Sequence, residues 1–401
     1  MIVFRLKKNS TRKSNPMVRF LTAGESHGKG LTGIIEGIPA GLELTAEYID
    51  QQLYRRQQGY GRGGRMKIES DRAEIISGVR FGKTMGSPIG LLVWNKDWKN
   101  WQDTMPIEAT QGGSKIKKVT LPRPGHADLA GILKFGFDDI RPVIERSSAR
   151  ETAMRVALGS IARKLLEEFG IRIASHVIQI GKIRVQDAEY RIQNFTTSKI
   201  TKLSDDSEVR ALDTNDSKRM IAEIKAAQKK GDSLGGIFEI VVDGLPAGLG
   251  SYTHWDKKMD GILAQHICSI PAVKGIEIGD AFANAEKFGS DVHDAIFYND
   301  KKGYYRKTNR CGGLEGGVTT GERLILRGAM KPIPTLARPL MSVDISTKKP
   351  ASAHKERTDT CSVPAAAVVA EAMTALALIN PFLDKFGGDS LKEIHRHFIS
   401  R

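Results

Sequence analysis

The alanine-rich stretch from Val363 to Leu383 constrains the fold more than any other part of the sequence. It is apolar enough to require burial, either in a bilayer or in a protein core. It contains Glu371 and Asn380 and is dominated by alanine, which favours a buried helix over a membrane span. The helix is expected to begin near Pro364, because proline suits the first helical turn.

Around this helix, short β-like runs alternate with a few other strong helices. The predicted strands are rich in β-branched residues and have glycine or proline nearby: Gly33–Ile38, Glu74–Val79, Ile89–Trp94, Ile171–Ile180, Ile237–Val242 and Arg323–Arg327. The predicted helices cover Ala46–Gln58, Ser148–Phe169 and an exposed segment, Ser217–Lys230. Ser148 and Glu151 stand at capping-box spacing at the start of the second helix. There is no strict β-α-β alternation, repeat or clear linker, so a single α+β domain over residues 17–401 is predicted.

Composition narrows the choice of partners and of compartment. The 61 Lys and Arg residues outnumber the 46 Asp and Glu residues, and the net charge of +15 favours anionic partners. Cys268, Cys311 and Cys361 are sparse and odd in number, which argues against a disulfide framework and fits a reducing compartment. Residues 1–16 carry five basic residues and no acid, and we expect this extension to be disordered and dispensable.

Two glycine motifs match known fingerprints only formally. Gly59-x-Gly61-x-x-Gly64 follows a predicted helix and precedes a strand-like run, the reverse of the dinucleotide-binding arrangement. Gly82-Lys83-Thr84 resembles a phosphate-binding loop, but Ser77 stands where that motif needs glycine. The nine histidines show no convincing metal spacing, so no metal site is predicted.

Two basic segments are candidate anion sites. Arg55 and Arg56 run into the glycine-rich loop that carries Arg62 and Arg65, and four arginines there could close over a multiply charged anion. A solvated helix end beside a mobile loop is an equally good interpretation of that segment. At the predicted start of the long helix, Arg146-Ser147-Ser148 could bind a phosphate or carboxylate, or Ser148 could simply cap the helix.

Two histidines occupy glycine-flanked turns. His27 lies in Glu25-Ser26-His27-Gly28, and His126 lies in Pro124-Gly125-His126-Ala127-Asp128. Glycine neighbours let the backbone approach a ligand and leave the imidazole accessible. Histidine can give or take a proton near neutral pH, so the pair is a hypothesis for proton transfer on an anionic small molecule.

Several separate motifs, in the same order along the chain, give it a resemblance to the chorismate synthase family. They extend from Val18 to about Ile394: RFLTAGESHGKG (19–30), RRQQGYGRGGRMKIESD (55–71), RPGHADLAG (123–131), ERSSARETAMRVALG (145–159), GDSLGG (231–236), SIPAVKGIEIG (269–279), GGLEGGVTTGE (312–322), KPIPT (331–335) and RTDTCSVPAAAVVAEAM (357–373). The resemblance implies a 1,4-anti elimination of phosphate from 5-enolpyruvylshikimate 3-phosphate, giving chorismate. It also implies a requirement for reduced FMN without net redox change.

The resemblance also implies residue roles. His27 would protonate the leaving phosphate, His126 would sit near flavin N1, and Asp359 would help to relay the proton away from flavin N5. FMN would be bound by Arg146, Ser147, Ser148, Pro271, Ala272, Gly316, Lys331, Pro332, Ile333, Pro334, Thr335 and Arg357. Arg56 and Arg62 would bind a phosphorylated ligand, either the substrate or NADPH, and we favour the substrate because the reaction consumes no hydride.

The family's fold implies an α+β sandwich, with helices packed between antiparallel sheets, in a cytoplasmic homotetramer. The sequence departs from some members at Val143-Ile144-Glu145, where they carry glycines, and at Pro271, where they carry asparagine. No additional flavin-reductase domain is evident. Reduced FMN would therefore come from a separate flavin reductase or a reducing environment, with NADPH as a candidate reductant.

Two rival functions follow from the same features. The net charge and the Arg/Gly loop could belong to a nucleic-acid-binding protein, although that loop offers only Tyr60 as a stacking platform. An FMN oxidoreductase that consumes NADPH is the second rival, and steady NADPH consumption in step with product would distinguish it.

Overall fold

The computed structural model describes residues 17–63, 70–109, 116–186 and 193–400. The predicted basic extension, residues 1–16, and Arg65 of the glycine-rich loop lie outside the described residues. The helices are α1 (Ala46–Gln57), α2 (Asp128–Phe135), α3 (Arg141–Ser147), α4 (Thr152–Glu167), α5 (Thr197–Asp205), α6 (Thr214–Lys230), α7 (Met259–Cys268), α8 (Ala281–Asn284), α9 (Gly289–Val292), α10 (Val363–Phe386) and α11 (Leu391–Ile399).

The strands are mostly short and pair in antiparallel fashion. They are β1 (Arg19–Ala23), β2 (Gly30–Glu36), β3 (Glu74–Ser77), β4 (Val79–Arg80), β5 (Lys83–Thr84), β6 (Ile89–Trp94), β7 (Arg172–Ile180), β8 (Ile183–Arg184), β9 (Gly236–Asp243), β10 (Val273–Ile278), β11 (Ile296–Asn299), β12 (Gly303–Arg306), β13 (Leu314–Glu315), β14 (Val318–Thr319), β15 (Leu324–Met330), β16 (Met341–Val343) and β17 (Pro350–Ser352).

Two larger sheets organise the fold. The first has the strand order β1-β2-β6-β3, and the second has the order β10-β15-β9-β7-β8. The predicted pairing of Glu74–Val79 with Ile89–Trp94 is confirmed, since Ser77 lies opposite Gly90. All six predicted strands fall in these sheets within a few residues of their predicted bounds. Mixed helices and antiparallel sheets confirm the α+β class.

Helices α4 and α10 form the centre of the core. α4 packs against β1, β2 and β6 of the first sheet, α10 packs against β7 and β9 of the second, and the two helices pack against each other. A Cβ atom added at Gly159 would lie 2.6 Å from the Cβ of Ala372, so small residues allow this close crossing. Among the described residues, α10 is the one helix long and apolar enough to cross a bilayer. Its most apolar 18-residue stretch is 94% buried inside the protein. This confirms the prediction of a buried core helix.

The start of α4 differs from the prediction. The helix begins at Thr152, after a 3-10 turn over Ala149–Glu151. Ser148 caps that turn by accepting a hydrogen bond from the backbone N–H of Arg150, while Glu151 contacts Thr22 and Arg155 instead of completing a capping box. The capping-box prediction is therefore wrong. Sequence spacing could not reveal it, because Arg155, one turn further on, competes for the Glu151 carboxylate.

A buried ion cluster ties α10 to its neighbours. Glu371, 1% exposed, accepts hydrogen bonds from Arg55 of α1, Arg163 of α4 and the Ser175 hydroxyl, and it forms an ion pair with Arg210. Burial alone would raise the pKa of Glu371, but the surrounding arginine charges outweigh it and hold the pKa below the usual carboxyl range. The cluster therefore holds an ionised carboxylate in the core.

Candidate active site

A cavity of about 740 Å³ opens where segments attached to both sheets meet. That volume is typical of small-molecule sites. It is lined by Ser26, His27, Arg56, Arg62, Gly63, Arg123, Gly125, His126, Ala127, Ile144, Ser147, Ser148, Ala149, Arg150, Pro271, Ala272, Lys274, Met330, Lys331, Ile333, Pro334, Thr335, Glu356, Arg357, Thr358, Asp359 and Ser362. The two histidines singled out from the sequence therefore share one cavity with Asp359.

His27 lies in the turn between β1 and β2 and is 6% exposed. Its Nδ1 lies 2.9 Å from Glu145 Oε1, and its ring stacks on Trp101 with the centroids 3.7 Å apart. Burial alone would raise the pKa of Glu145, but hydrogen bonds from His27 and the charge of Arg141 hold it below its ordinary value. The ring is thus held by an ionised carboxylate.

His126 lies just before α2 and is held by a second buried carboxylate. Its Nδ1 lies 2.5 Å from Asp128 Oδ1, and the Arg123 guanidinium approaches the same ring at 3.0 Å. Burial opposes ionisation of Asp128, but hydrogen bonds from His126 and Arg123 outweigh it and lower the pKa of this carboxyl. Each histidine is therefore paired with an anionic group that can stabilise its protonated form.

Asp359 stands between the glycine-rich loop and α10. One carboxylate oxygen accepts the Gly63 backbone N–H at 2.6 Å, and the other accepts the Ser362 hydroxyl at 2.8 Å and pairs with Arg62 at 3.1 Å. These contacts fix the carboxylate at the cavity wall and close the described part of the loop against it.

Three arginines crowd one end of the cavity. Arg56 Nη1 has no hydrogen-bond partner among the residues that the structure describes, and it lies 3.6 Å from Asp71 Oδ2. Burial lowers the pKa of Arg56 to about 10. The charge of Asp71 opposes this lowering, whereas the charges of Arg62 and Arg150 add to it. A phosphate or carboxylate group would relieve both the crowded charge and the unsatisfied N–H.

The interpretation of four arginines closing over one anion is wrong in part. Arg56 and Arg62 line the cavity, but Arg55 turns into the core and binds Glu371. Successive residues on a helix point in directions about 100° apart, so neighbouring arginines reach different surroundings.

Most of the expected flavin-binding residues line the same cavity: Ser147, Ser148, Pro271, Ala272, Lys331, Ile333, Pro334, Thr335 and Arg357. Arg146, Pro332 and Gly316 do not line it; Arg146 is exposed and donates to the carbonyls of Thr22 and Gly24. Arg146 and Ser147 also end α3, whereas the sequence pattern predicted that they begin the long helix. The anion site at a long-helix N-terminus is thus replaced by a turn between two helices.

One lining residue has a strained backbone. Ala272 has φ +67°, in the left-handed region that a residue with a side chain seldom adopts, and its carbonyl accepts the Lys331 N–H at 2.9 Å. Strain of this kind persists where surrounding contacts enforce it and is concentrated at ligand sites. The contact joins the two segments expected to hold the flavin.

Sequence reasoning missed several residues at the site. Glu145, Trp101, Arg123, Arg150 and Glu356 all contact a candidate residue or line the cavity. Arg123 and Arg150 lie within motifs that were already recognised, and this was the signal that could have found them. Nothing in the local pattern around Trp101 indicates its stacking on His27.

Seven cationic and two carboxylate side chains line the cavity among the described residues. Together with two carboxylate-held histidines in an α+β fold, they define an enzyme that performs acid–base chemistry on an anionic small molecule.

The comparisons identify which enzyme family has this arrangement. Residues 18–383 match the family model for chorismate synthase. A chorismate synthase from Alkaliphilus metalliredigens is 56% identical over 95% of this chain and 98% of its own length, and one from Geobacillus sp. is 53% identical over 93% and 96%. A solved structure described as "Crystal Structure of Chorismate Synthase" shares 42% identity and a TM-score of 0.78, covering 96% of this chain and 98% of that one. The chain belongs to the chorismate synthase family, and it is a carbon–oxygen lyase of the shikimate pathway.

Proposed function

We propose that this cavity carries out the 1,4-anti elimination of phosphate from 5-enolpyruvylshikimate 3-phosphate with reduced FMN bound beside the substrate. The observation that carries this proposal is the placement of His27 and His126, each held by a carboxylate, in one strongly basic cavity. A substrate with two carboxylates and a phosphate needs such a lining, and a phosphate leaving group departs more readily with an acid beside it.

The elimination breaks the carbon 3–oxygen bond, removes a proton from carbon 6 and forms a new double bond. His27 donates its proton to the leaving phosphate. Asp359 would help to relay the proton lost from carbon 6, and His126, held by Asp128 and Arg123, would hold a proton near the flavin. Reduced FMN, when bound, supplies electron density that favours departure of the phosphate.

The residues present fit FMN. Hydroxyls of Ser147, Ser148 and Thr335, with the charges of Lys331 and Arg357, surround the volume where an anionic cofactor would lie. The hydrogen bond between Ala272 and Lys331 joins two segments of that wall. Arg56 Nη1, without a hydrogen-bond partner in the part of the chain that the structure describes, is a cationic group for a second phosphate. Arg146, Pro332 and Gly316 remain expectations from the family resemblance. We propose a separate flavin reductase as the source of reduced FMN, with NADPH as the reductant.

The first test is anaerobic turnover of 5-enolpyruvylshikimate 3-phosphate with dithionite-reduced FMN, with chorismate and phosphate followed together. We expect both products to appear in equal amounts without flavin oxidation. Folded, flavin-loaded protein that releases no phosphate would disprove the proposal.

Replacing Arg56 with lysine is expected to weaken substrate binding roughly 10- to 100-fold, because lysine cannot present the paired N–H groups of a guanidinium. The dissociation constant for the substrate can be measured by titration of the FMN-loaded protein. Arg80→Lys, an exposed arginine outside the cavity, is the matched control. Unchanged substrate affinity with weakened NADPH affinity would assign Arg56 to the nicotinamide nucleotide instead.

We also propose that the fold is a β-α-β sandwich and that four chains assemble in the cytoplasm. The contacts of α4 with the first sheet, of α10 with the second and of the helices with each other support the layered arrangement. Exposed apolar side chains on strands of the first sheet, Leu21, Ile34, Ile76 and Trp94, support an interface with other copies. The buried core helix supports a protein without a membrane partner, and the sparse cysteines support the cytoplasm. We expect no nucleic-acid partner.

A further inference from the structure

Glu145 binds the turn that carries His27 through backbone and side chain together. Its carbonyl accepts the Ser26 N–H at 3.0 Å, and its carboxylate accepts the His27 backbone N–H at 2.7 Å and faces His27 Nδ1 at 2.9 Å. The Glu145 side chain itself is fully buried, in α3. The turn is therefore fixed at two backbone N–H groups and at the imidazole itself.

Trp101 restrains the same ring from its face. The two rings stack at 3.7 Å with 22° between their planes, and the indole N–H reaches Asp97 Oδ2 at 3.3 Å. Asp97 is 1% exposed and also binds Arg357 of the cavity wall. Rotation of the imidazole would therefore break both the stack and the contact with Glu145.

We propose that Glu145 is a positioning residue, which selects the Nδ1–H form of neutral His27 and so directs proton transfer through Nε2. An ionised carboxylate can only accept a hydrogen bond, so it requires a proton on the nitrogen that faces it. A second group that orients a histidine in this way commonly fixes both its tautomer and its basicity. This inference rests on the proposed role of His27 as the acid that protonates the leaving phosphate.

The proton balance agrees with this assignment. Doubly protonated His27 gives the Nε2 proton to a phosphate oxygen, and the neutral ring that remains carries its proton on Nδ1. That product keeps its Nδ1–H facing Glu145, so the transfer leaves this contact intact and the carboxylate does not change its own protonation state.

The charges around the pair keep Glu145 ionised. Arg141 Nη1 lies 3.2 Å from Glu145 Oε1 and 2.8 Å from Glu356 Oε1, and His354 lies 2.9 Å from the same Glu356 oxygen. Arg141 is thus shared between two carboxylates, and it adds a hydrogen bond to Glu145 without neutralising it completely. Loss of the Glu145 charge should make protonated His27 less stable. As the pH is raised, a rate that needs this proton should then begin to decline at a lower pH than in the native protein.

The test replaces Glu145 with glutamine, which keeps the size and an acceptor oxygen but removes the charge. We expect kcat to fall about 10- to 100-fold, the usual cost of removing a group that orients a functional histidine. We expect the alkaline limb of kcat against pH to move to lower pH. Glu145→Asp, which keeps the charge, should restore the native pH profile. Glu168→Gln, at the residue that follows α4 and outside the cavity, is the matched control.

A second measurement is independent of turnover. ¹⁵N spectra of protein labelled at histidine, with the His27 signal identified by its absence in His27→Gln, report which ring nitrogen carries the proton. We expect Nδ1–H in the native protein and a mixture of tautomers in Glu145→Gln. A native tautomer and a native pH profile in a folded Glu145→Gln protein would overturn the inference. If the native protein forms no chorismate, the proposed function fails, and the spectra still decide whether Glu145 sets the tautomer.

Discussion

Replacing His27 with alanine should lower turnover by about 10²–10⁴-fold, the range expected when a general acid is lost. The reason is that phosphate would have to leave carbon 3 without the proton that we propose His27 supplies. Truncation also removes the group held by Glu145 and Trp101, so no other side chain takes its exact place. The measurement is kcat for phosphate release in the anaerobic assay, with reduced FMN in excess.

Two comparisons make that result specific. His126→Ala should lower kcat over the same range, because its ring occupies the other carboxylate-held position in the cavity. His254→Ala, an exposed histidine outside the cavity, should leave kcat close to native. Near-native turnover in both His27→Ala and His126→Ala would remove the two histidines from the mechanism.

The second large effect concerns stability. Replacing Glu371 with alanine should lower the free energy of unfolding by about 3–5 kcal/mol, because it leaves Arg55, Arg163 and Arg210 buried without their common carboxylate. Glu371→Gln, which keeps acceptor capacity, should lie between the alanine variant and the native protein. The midpoints of denaturant unfolding curves, compared at equal m-values, give the order of stability of the variants. Asp384→Asn, exposed on the same helix, is the control, and equal midpoints for it and Glu371→Ala would contradict the prediction.

The same cluster has a defined pH dependence. The pKa of Glu371 is lowered in the folded protein, so its contribution to stability is complete above the ordinary carboxyl pKa of 4.5 and is lost as the pH falls through the lower folded value. Stability from this group should therefore hold across neutral and mildly acidic pH and decline only in strong acid. The Glu371→Gln protein should lack that acid-dependent component.

Local patterns predicted the four longest helices, six of the strands and several of the residues that line the cavity. Glycine-flanked His27 and His126 were recognisable because their turns leave the ring accessible, and the core helix followed from its apolar length. The partners were not recognisable: Glu371 lies 316 residues from Arg55, and Glu145 lies 118 from His27. Arg55 and Arg56 are adjacent in sequence, yet Arg55 binds the distant Glu371 in the core and Arg56 faces the cavity.

The close crossing of α4 and α10 has a consequence for the width of the cavity. α4 packs on the sheet whose β1–β2 turn carries His27, and α10 packs on the sheet whose β15 leads into Lys331. Gly159 and Ala372, which do not line the cavity, therefore act as a spacer between its two walls. A methyl group at Gly159 would clash with the Ala372 carbonyl oxygen, which would lie only 2.7 Å away. The glycine-to-alanine exchange that usually stabilises a helix would here push the wall that carries His27 away from the wall proposed to bind the flavin.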